Sequence, residues 1–521
     1  MKVAVHGVEF DLELAVTRLK ADLQDDWFPD PVRFADQLTH LDSLKSAFGE
    51  NYEPSAATDV NVPKPGFTVR YSLEQDIRDR VLYQGVANEL QHLDVFLGPE
   101  VYGYRIRAAT GREMFKARVQ NWLEFNATVR VRLKEAGGVL LAADIQNYYE
   151  AIQHDRLVGD IQRLDPQSGP VAELLKKLLA KWCHGGGGLP QNRDASSFLA
   201  NLYLESIDKR MLDRNYTYLR YMDDIRVLCS DMYHARRALM DLITELRERG
   251  LSVNALKTKM IPADSPQLDD FAPPPDGNVE RFDAMVSTGR ATAVIPAMIS
   301  QLESLLAADQ LESRAFRAAL ERTRRIVASR YREAVSLGKV TEGLVRCLTD
   351  YPWHTDRVVA LLRHIPLTPD QVDALAMIVV EPERFPYAWQ AYHVWQLLAA
   401  QGARRDVLRR SALRQSSLAA AEDAVRAAGA ILYLGACGEG HDRARLASQI
   451  SQYPPHRLVR RAIVIATQEV GTFYADRYLS DLTVDEAQLR THLTSQPKPT
   501  YVADAPRMSL SRFSADLRDE Y

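Results

Sequence analysis

The 521-residue sequence has only four cysteines, no long apolar run and little net charge. The cysteines lie far apart, at Cys183, Cys229, Cys347 and Cys437. This spacing fits neither a metal site nor a disulfide framework, so we expect a reducing, cytoplasmic setting. Because no run of about 18 apolar residues occurs, and the first residues lack a signal-like apolar core, we expect no membrane association. The net charge of −4 means that a nucleic-acid partner would need a local basic surface.

The chain divides into segments of different composition. Residues 1–60 are mixed and form an N-terminal extension. Strand-like and helix-like patterns alternate over 61–285, although the stretch 262–278 is rich in Pro and Asp and looks like a linker. Residues 286–490 are rich in Ala, Leu and Arg, with the 3–4 spacing of apolar residues that predicts helices. Residues 491–521 form a tail that is rich in Pro and Ser.

Three apolar, helix-like segments in the C-terminal region each end in glycine: AYHVWQLLAAQG, AAGAILYLGACG and RRAIVIATQEVG. We expect the closing residues Gly402, Gly438 and Gly471 to supply the left-handed residue after a helix end. Enough chain for a second helix lies between the segments. Helix pairs at a period in the thirties to forties predict an α-solenoid of HEAT type, with an irregular helical bundle as the alternative.

The stretch YLRYMDDIRVLC (218–229) places two adjacent aspartates between two strand-like runs. The runs predict the strands of a hairpin with Met222, Asp223 and Asp224 at its tip. Aspartates are common in solvated turns, but the apolar flanks favour a tip held close to the core. There a divalent cation would relieve the repulsion between the carboxylates, and Mg²⁺ prefers carboxylates together with substrate phosphates. The hairpin therefore predicts a third carboxylate elsewhere and a phosphate-bearing substrate.

Asp144 is the candidate for that third carboxylate. It follows the apolar run Val139–Ala143, which predicts a buried strand, and an acid at such a strand end is often part of a metal or substrate site. A helix N-cap would explain this aspartate equally well. Between Asp144 and the hairpin, GGGGLPQNRDASSFLANLYLESID (185–208) combines a glycine-rich loop with an amphipathic helix. Such a loop permits close backbone approach to an anionic ligand, although glycine runs also serve as plain linkers.

These three elements occur in the order and spacing of the palm motifs A, B and C of reverse transcriptases, which this sequence resembles. Motif A would contain Asp144, motif B the GLPQ loop and motif C the YMDD tetrapeptide. GLSVNALKTK (250–259) resembles motif D, and the upstream segments VPKPGFTVRYSLEQ and YGYRIR resemble the fingers, so the resemblance covers residues 61–262. It implies an α+β palm-and-fingers polymerase (reverse transcriptase-like), followed here by an all-α helical-repeat domain.

The resemblance assigns the acids to two Mg²⁺ ions, which activate the attacking 3′-hydroxyl and neutralise the leaving pyrophosphate. Asp144 and Asp223 would be the principal ligands, and Asp224 would support them. Lys257 would protonate or steady the pyrophosphate, with Lys259 as the second choice.

Nucleotide binding is assigned in the same way. Tyr149 falls where reverse transcriptases keep an aromatic gate against the ribose 2′-hydroxyl, which implies the use of dNTPs; packing under the sheet is the alternative. Gln191 matches the position that contacts nucleotide or template in the family. Three basic residues are candidates for binding the triphosphate, with surface ion pairing as the alternative for each: Lys64, Arg70 and Arg105.

The sequence also departs from the family pattern. Asn192 replaces the glycine of the usual Pro-Gln-Gly, and asparagine tolerates a left-handed backbone. Motif E is not evident, no retroviral thumb or RNase H is recognisable, and a helical domain takes the place of the thumb. This combination resembles bacterial abortive-infection and other defence-associated (unknown-group) reverse transcriptases. That resemblance implies anti-phage defence, a homo-oligomer, DNA synthesis that can proceed without a conventional template, and in some members a protein primer or a partner non-coding RNA.

Two other functions stay open. One is a retron or group II intron type enzyme that copies a specific RNA; the missing maturase-like basic thumb and the missing zinc or endonuclease motifs argue against the intron type. The other is a non-catalytic scaffold that binds nucleic acid, although an unused buried Asp-Asp pair would be costly.

Protein priming would need a phenol that can reach the metal site. Tyr501 in the tail is the first candidate and the final residue, Tyr521, is the second, because a mobile tail can enter a cleft. The alternative is that both are ordinary tail residues.

Overall fold

The computed structural model describes most of the chain. The described residues are 1–136, 138–274, 283–286, 288, 290–329, 331, 337–417, 423–453, 456–471, 477–479 and 482–503. Within these ranges, no helix is both long enough and apolar enough to cross a membrane. Helices and strands are numbered below in chain order.

The N-terminal extension contains a β-hairpin and three helices: β1 (Lys2–Val5), β2 (Val8–Asp11), α1 (Leu12–Asp22), α2 (Ala35–Leu38) and α3 (Leu41–Ala47). Asp11 ends β2 and caps α1, because its side chain accepts hydrogen bonds from the amides of Glu13 and Leu14. The hairpin therefore leads directly into the helix.

The segment predicted to be the fingers contains a β-hairpin and a buried helix: β3 (Thr58–Lys64), β4 (Thr68–Glu74) and α4 (Ile77–Leu90). β3 and β4 pair antiparallel, with Lys64 opposite Thr68 beside the turn. Asp76 caps α4 by accepting a hydrogen bond from the amide of Arg78. Because α4 packs against α1, the extension and the fingers share one hydrophobic core.

The segment predicted to be the palm contains a four-stranded antiparallel sheet. Its strands are β5 (Val139–Asp144), β6 (Thr217–Tyr221), β7 (Asp224–Cys229) and β8 (Lys259–Pro262), in the spatial order β6-β7-β5-β8. The helices around it are α5 (Arg118–Ala136), α6 (Tyr148–Ala151), α7 (His154–Leu164), α8 (Gly169–Trp182), α9 (Asp194–Tyr203), α10 (Glu205–Asp213), α11 (Met232–Glu248) and α12 (Leu268–Phe271). Helix α12 lies inside the stretch that looked like a linker.

Strand β5 is buried along its whole length. Leu141 and Ala143 enter the core shared with the fingers, while Leu140 and Ala142 enter a second core formed with α5. A strand covered on both faces has a continuous apolar run, which is why its position could be predicted from the sequence. Asp144, at the end of this strand, is held by a rigid and buried element.

The helical domain contains α13 (Ala291–Ala307), α14 (Arg314–Val327), α15 (Gly338–Asp350), α16 (Thr355–Leu362), α17 (Pro369–Val380), α18 (Ala388–Ala400), α19 (Asp406–Gln415), α20 (Ala424–Cys437), α21 (Gly440–Gln449), α22 (Arg457–Ala466) and α23 (Val484–Ser495). Each of the helices α13–α18 contacts the second helix that follows it along the chain. The helices are therefore arranged in two rows. Helices α14, α16, α18, α20 and α22 form one row, and α13, α15, α17 and α19 form the other.

The three apolar segments that end in glycine are helices α18, α20 and α22, but their glycines differ. Gly402, with a φ of 62°, is the left-handed residue after α18, as predicted. Gly438 ends α20 with a φ of −72°. Gly471 lies beyond α22, which has already ended at Ala466. The predicted left-handed cap is therefore wrong for Gly438 and Gly471.

The helical domain is anchored to the N-terminal extension. Trp389 donates its indole N–H to the carbonyl of Trp27 at 2.8 Å. Arg461 forms ion pairs with Asp30 and Asp36, at 2.5 and 2.7 Å. These contacts join residues that are far apart in sequence, so neither the sequence motifs nor the period of the helices indicates them.

The tip of the fingers hairpin also contacts the helical domain. Phe67 packs edge-on against Trp353, with 5.3 Å between the ring centroids. Tyr387 donates its hydroxyl to the carbonyl of Phe67 at 2.9 Å. Val60 and Val62 of β3 belong to the hydrophobic core of the helical domain. The helical domain therefore holds the β3–β4 hairpin in place.

Candidate active site

The hairpin that carries the paired aspartates has a two-residue loop. Tyr221 at the end of β6 pairs with Asp224 at the start of β7, so Met222 and Asp223 form the turn. Met222 has a φ of 53°, a left-handed conformation that is uncommon for residues other than glycine. Backbone strain of this kind is often found at functional sites, where the surrounding structure holds it in place.

A buried arginine holds this turn in place. Arg220 forms an ion pair with Asp208, with 2.7 Å between Nε and Oδ1. It also donates hydrogen bonds to the side-chain oxygen of Asn201 at 2.7 Å and to the carbonyl of Met222 at 3.2 Å. Gly103 lies against the turn so closely that a Cβ atom there would be 2.9 Å from the Met222 nitrogen. In the sequence, the only indication of these contacts was that a charged residue, Arg220, occupies an inward-facing position of an apolar strand.

The structure brings the three predicted carboxylates to one end of the sheet. Asp144 lies directly opposite Asp224 across β5 and β7, and Asp223 occupies the adjoining turn. Burial, together with the negative charges of Asp224 and Asp144, raises the pKa of Asp223 to about 7. Burial also raises the pKa of Asp144. A cation placed among these groups would favour their charged forms.

The donor chemistry of this cluster fits a hard divalent cation, since its ligands would be carboxylate oxygens. In the described part of the chain, no three His, Cys, Asp or Glu side chains already stand at metal-binding positions around a single point. The carboxylates of Asp144, Asp223 and Asp224 would therefore need to adjust their side-chain rotamers on binding an ion.

Lys257 contacts one of the three carboxylates, that of Asp144. Its Nζ lies 2.9 Å from Oδ2 of Asp144, and its side chain is 63% exposed. The loop that carries Lys257 is tied to the end of β5, because the amide of Asn254 donates to the carbonyl of Asp144 at 2.7 Å. Lys259 instead starts strand β8, where it pairs with Ala142. The structure therefore favours Lys257 over Lys259 as the partner of the acids.

Tyr149, five residues after Asp144 in the sequence, is half-buried. Its hydroxyl is 3.1 Å from the hydroxyl of Ser197 in α9. Burial raises the pKa of Tyr149 well above its usual value, and Tyr104 and Asp223 raise it further by their charges. This position is compatible with both interpretations of the residue, a gate and a packing residue, so the gate stays a prediction.

The loop before α9 connects the palm to the fingers. Gln191 donates to the carbonyl of Tyr71 at 3.2 Å and to the Glu150 carboxylate at 3.3 Å. Asn192 has a φ of 58°, so asparagine does adopt the left-handed conformation for which the family uses glycine. The next residue, Arg193, is buried and pairs with Glu74 at 2.9 Å. Gln191 thus lies at the junction of the two subdomains.

The three basic candidates for the triphosphate have different surroundings. Arg70 on β4 lies over the ring of Trp27, 5.8 Å from its centroid, and remains exposed. The surrounding protein lowers its pKa by desolvation, and among the charges that act on it is Asp223. Lys64 lies at the end of β3, beside the hairpin turn. Of the three candidates, Arg70 is therefore the one that interacts electrostatically with a carboxylate of the cluster, that of Asp223.

Arg105 is engaged within its own loop. Its guanidinium pairs with the carboxylate of Asp94 at 3.1 Å and donates to the carbonyls of Gly98 and Val101 at 2.8 and 3.0 Å. These contacts favour the alternative interpretation, an ion-pair residue, over the predicted contact with the triphosphate. The sequence could not indicate this, because the preference depends on how the loop folds back on itself.

Tyr501 is not on a free tail. Its ring packs against the helical domain, where a Cβ atom on Gly435 would be 2.8 Å from its Cδ1 atom. Its hydroxyl donates to the carboxylate of Glu469. Burial and this hydrogen bond raise the pKa of Tyr501. The expectation of a mobile Tyr501 is therefore corrected, and Tyr521 lies outside the described residues.

Residues 62–269 match the family described as reverse transcriptase (RNA-dependent DNA polymerase). The matched segment contains all three carboxylates, the loop before α9 and Lys257. The chain therefore contains a reverse transcriptase domain, and the class of this domain is that of RNA-directed DNA polymerases. None of the curated protein sequences compared with the chain matches it.

Three of the solved structures that match are telomerases. Apo telomerase from Candida tropicalis truncated from the C-terminal domain is 16% identical, with 40% of this chain and 51% of that chain covered and a TM-score of 0.29. Telomerase from Candida albicans in complex with a TWJ fragment of telomeric RNA is 11% identical, with 68% and 64% covered and a TM-score of 0.30. Apo telomerase from Candida tropicalis is 11% identical, with 85% and 70% covered and a TM-score of 0.34. The first two matches span 51% and 64% of the telomerase chains, and scores this low carry no argument about function.

Proposed function

We propose that this chain is a Mg²⁺-dependent DNA polymerase of the reverse transcriptase type. The observation that carries the proposal is the pairing of Asp144 with Asp224 across the sheet, with Asp223 in the adjoining strained turn. Asp144 and Asp223 would hold two ions, and Asp224 would support them. When bound, such ions activate a hydroxyl nucleophile and neutralise the leaving pyrophosphate. Lys257, which contacts Asp144, would hold a proton close to that pyrophosphate.

The substrates in this proposal are dNTPs. Tyr149 would exclude the ribose 2′-hydroxyl, Gln191 would contact the nucleotide or the template, and Arg70 with Lys64 would bind the triphosphate. Supporting this assignment, Tyr149 and Arg70 both interact electrostatically with Asp223. The fingers hairpin that carries Arg70 is held in place by the helical domain.

The proposal is tested by replacing the paired aspartates. The D223A/D224A protein should fold but lose incorporation of labelled dNTPs in the presence of Mg²⁺, because both the metal ligands and their mutual repulsion are removed. The matched control is D269A/D270A, which removes two adjacent aspartates from helix α12. Incorporation by D223A/D224A at the rate of the control would refute the polymerase assignment.

The biological role that we propose is anti-phage defence of the abortive-infection type. It is supported by the resemblance to defence-associated reverse transcriptases and by the two rows of helices that follow the palm, which agree with an α-solenoid of HEAT type. Efficiency of phage plating on cells with the wild-type protein should fall, and D223A/D224A should restore it. Protection by the inactive protein would favour the non-catalytic scaffold, and a specific RNA recovered with the protein would favour the retron-like alternative.

Self-assembly and self-priming complete the proposal. The helical domain would mediate a homo-oligomer, so the mass in solution should exceed that of one chain.

In self-priming, a tyrosine oxygen would attack the α-phosphate of a dNTP, with release of pyrophosphate and loss of the phenol proton. Tyr501 would first have to leave Glu469. Label from dNTPs that stays on the denatured polypeptide, mapped by mass spectrometry, would identify the tyrosine; label that leaves the protein would refute priming.

A further inference from the structure

One residue of the helical domain, Arg314, contacts an aromatic ring that packs against the hairpin of the paired aspartates. Arg314 is the first residue of α14, and its guanidinium lies over the ring of Trp122, 4.5 Å from the ring centroid. Trp122 in turn packs edge-on against Tyr221, with 5.0 Å between centroids. Tyr221 ends β6 and directly precedes the turn that carries Asp223. Two ring contacts therefore connect the helical domain to the carboxylates.

The charge of Arg314 is available to a ligand. Its side chain is exposed, and it makes no ion pair within the described ranges. A guanidinium that stacks by its face keeps its in-plane N–H donors free, and these donors suit phosphate oxygens.

Two other cations near the acids, Lys257 and Arg226, are already engaged. Lys257 contacts Asp144 at 2.9 Å. Arg226 is buried, and it donates hydrogen bonds to the carbonyls of Phe271 and Ile225 at 3.1 and 3.0 Å. A strand that carries phosphates would be attracted by a free cation beside the acidic turn, because opposite charges at close range attract strongly. Of these three cations, Arg314 is the one without such a contact.

The charged groups around Arg314 differ from those around the residues that are predicted to bind the nucleotide. Arg70 and Tyr149 interact with Asp223, whereas the charged groups that act on Arg314 are Asp224 and Arg226. We propose that Arg314 binds a backbone phosphate of the nucleic-acid strand that is being extended, next to Asp224 and held over Trp122. The helical domain thereby supplies a strand-binding residue to the polymerase site. This inference rests on the proposed function, since it assumes that a strand is extended there.

Binding of a labelled single-stranded oligodeoxythymidylate, followed by fluorescence anisotropy, tests the inference without catalysis. R314A should bind about tenfold more weakly, as expected for the loss of one charge-assisted phosphate contact. The slope of log K against log salt should fall by about 0.7, the value for one phosphate on a single strand. R314K should keep most of this slope but bind less tightly, because it loses the planar fork. The control is R236A, which removes an exposed arginine that lies over Tyr233.

Several results would overturn the inference. Equal binding by R314A and R236A, or no measurable binding by the wild-type protein, would leave Arg314 as an interdomain contact only. A higher KM for dNTP with unchanged oligonucleotide binding would assign Arg314 to the incoming triphosphate instead. A lower melting temperature for R314A than for R236A, with equal binding, would show a purely structural role.

The two proposals fail in different ways. If the wild-type protein incorporates dNTPs and R314A binds as R236A does, only the strand contact is wrong. If wild-type protein incorporates nothing but R314A still loses affinity and salt slope, the strand contact stands and the polymerase function is wrong.

Discussion

Asp144 and Asp224 lie directly opposite each other at the ends of two neighbouring antiparallel strands. When no metal ion is bound, the two carboxylates repel each other. The nearest positive charge is the amine of Lys257, 2.9 Å from the carboxylate of Asp144. Burial raises the pKa of Asp144, and Lys257 opposes this rise by its hydrogen bond and its charge. The chemistry of the site therefore depends on three residues that come from distant parts of the sequence.

Removal of Lys257 should slow nucleotide transfer. We expect K257A to lower kcat by about 100-fold, the usual size of a general-acid contribution, with a smaller change in the KM for dNTP. The measurement is single-nucleotide incorporation under saturating dNTP. K259A, which changes the neighbouring lysine on β8, should be close to wild type. A larger loss for K259A than for K257A would reverse the assignment.

Replacement of Tyr149 should relax sugar selection. Y149V creates space beside Asp223, so the ratio of kcat/KM for dNTP over NTP should fall by about tenfold or more. S197A is the control, because it removes the hydroxyl partner at 3.1 Å without opening comparable space. An unchanged ratio in Y149V would make Tyr149 a packing residue.

Arg220 should matter for folding as well as for activity. R220M leaves the buried Asp208 without its partner, so the free energy of unfolding should fall by about 3–5 kcal/mol. The double variant D208N/R220M should lose less than the sum of the single changes, because no buried charge is left unpaired. Urea unfolding measures both quantities. A cost of R220M near zero would show that the turn is held by other contacts.

His393 should make stability depend on pH. This residue is buried, its ring nitrogen is 2.9 Å from the carbonyl of Trp27, and burial lowers its pKa to about 4. Asp356 and Asp26 raise the pKa and Arg363 lowers it, but desolvation dominates. Because the pKa in the folded protein lies below the unfolded value, this contribution to stability is present above about pH 6.5 and lost as the pH falls toward 4.

The wild-type protein should therefore lose about 2 kcal/mol more than H393Q between pH 7 and pH 5. Urea unfolding at several pH values gives this difference directly, since the other titrating groups are common to both proteins. A difference between wild type and H393Q that does not change with pH would mean that His393 is not held neutral by burial.

The strand before Asp144 and the hairpin that carries Asp223 could be predicted from the sequence because the signals are local. The apolar run before Asp144 reflects a strand covered on both faces, and the hairpin around Asp223 follows from two strand-like runs of suitable length. The left-handed Asn192 was likewise predictable from the chemistry of asparagine. In each case a few neighbouring residues carry the information.

Other features depend on which surfaces meet, and a single sequence does not show that. The choice of Lys257 over Lys259 depends on a loop that hydrogen-bonds to the end of β5. The engagement of Arg105 depends on its loop folding back on Asp94. The approach of Arg314 to the hairpin depends on how the helical domain packs against the palm. Contacts between residues far apart in sequence form only when whole faces are buried together, so only the tertiary structure decides which charges end up beside the acids.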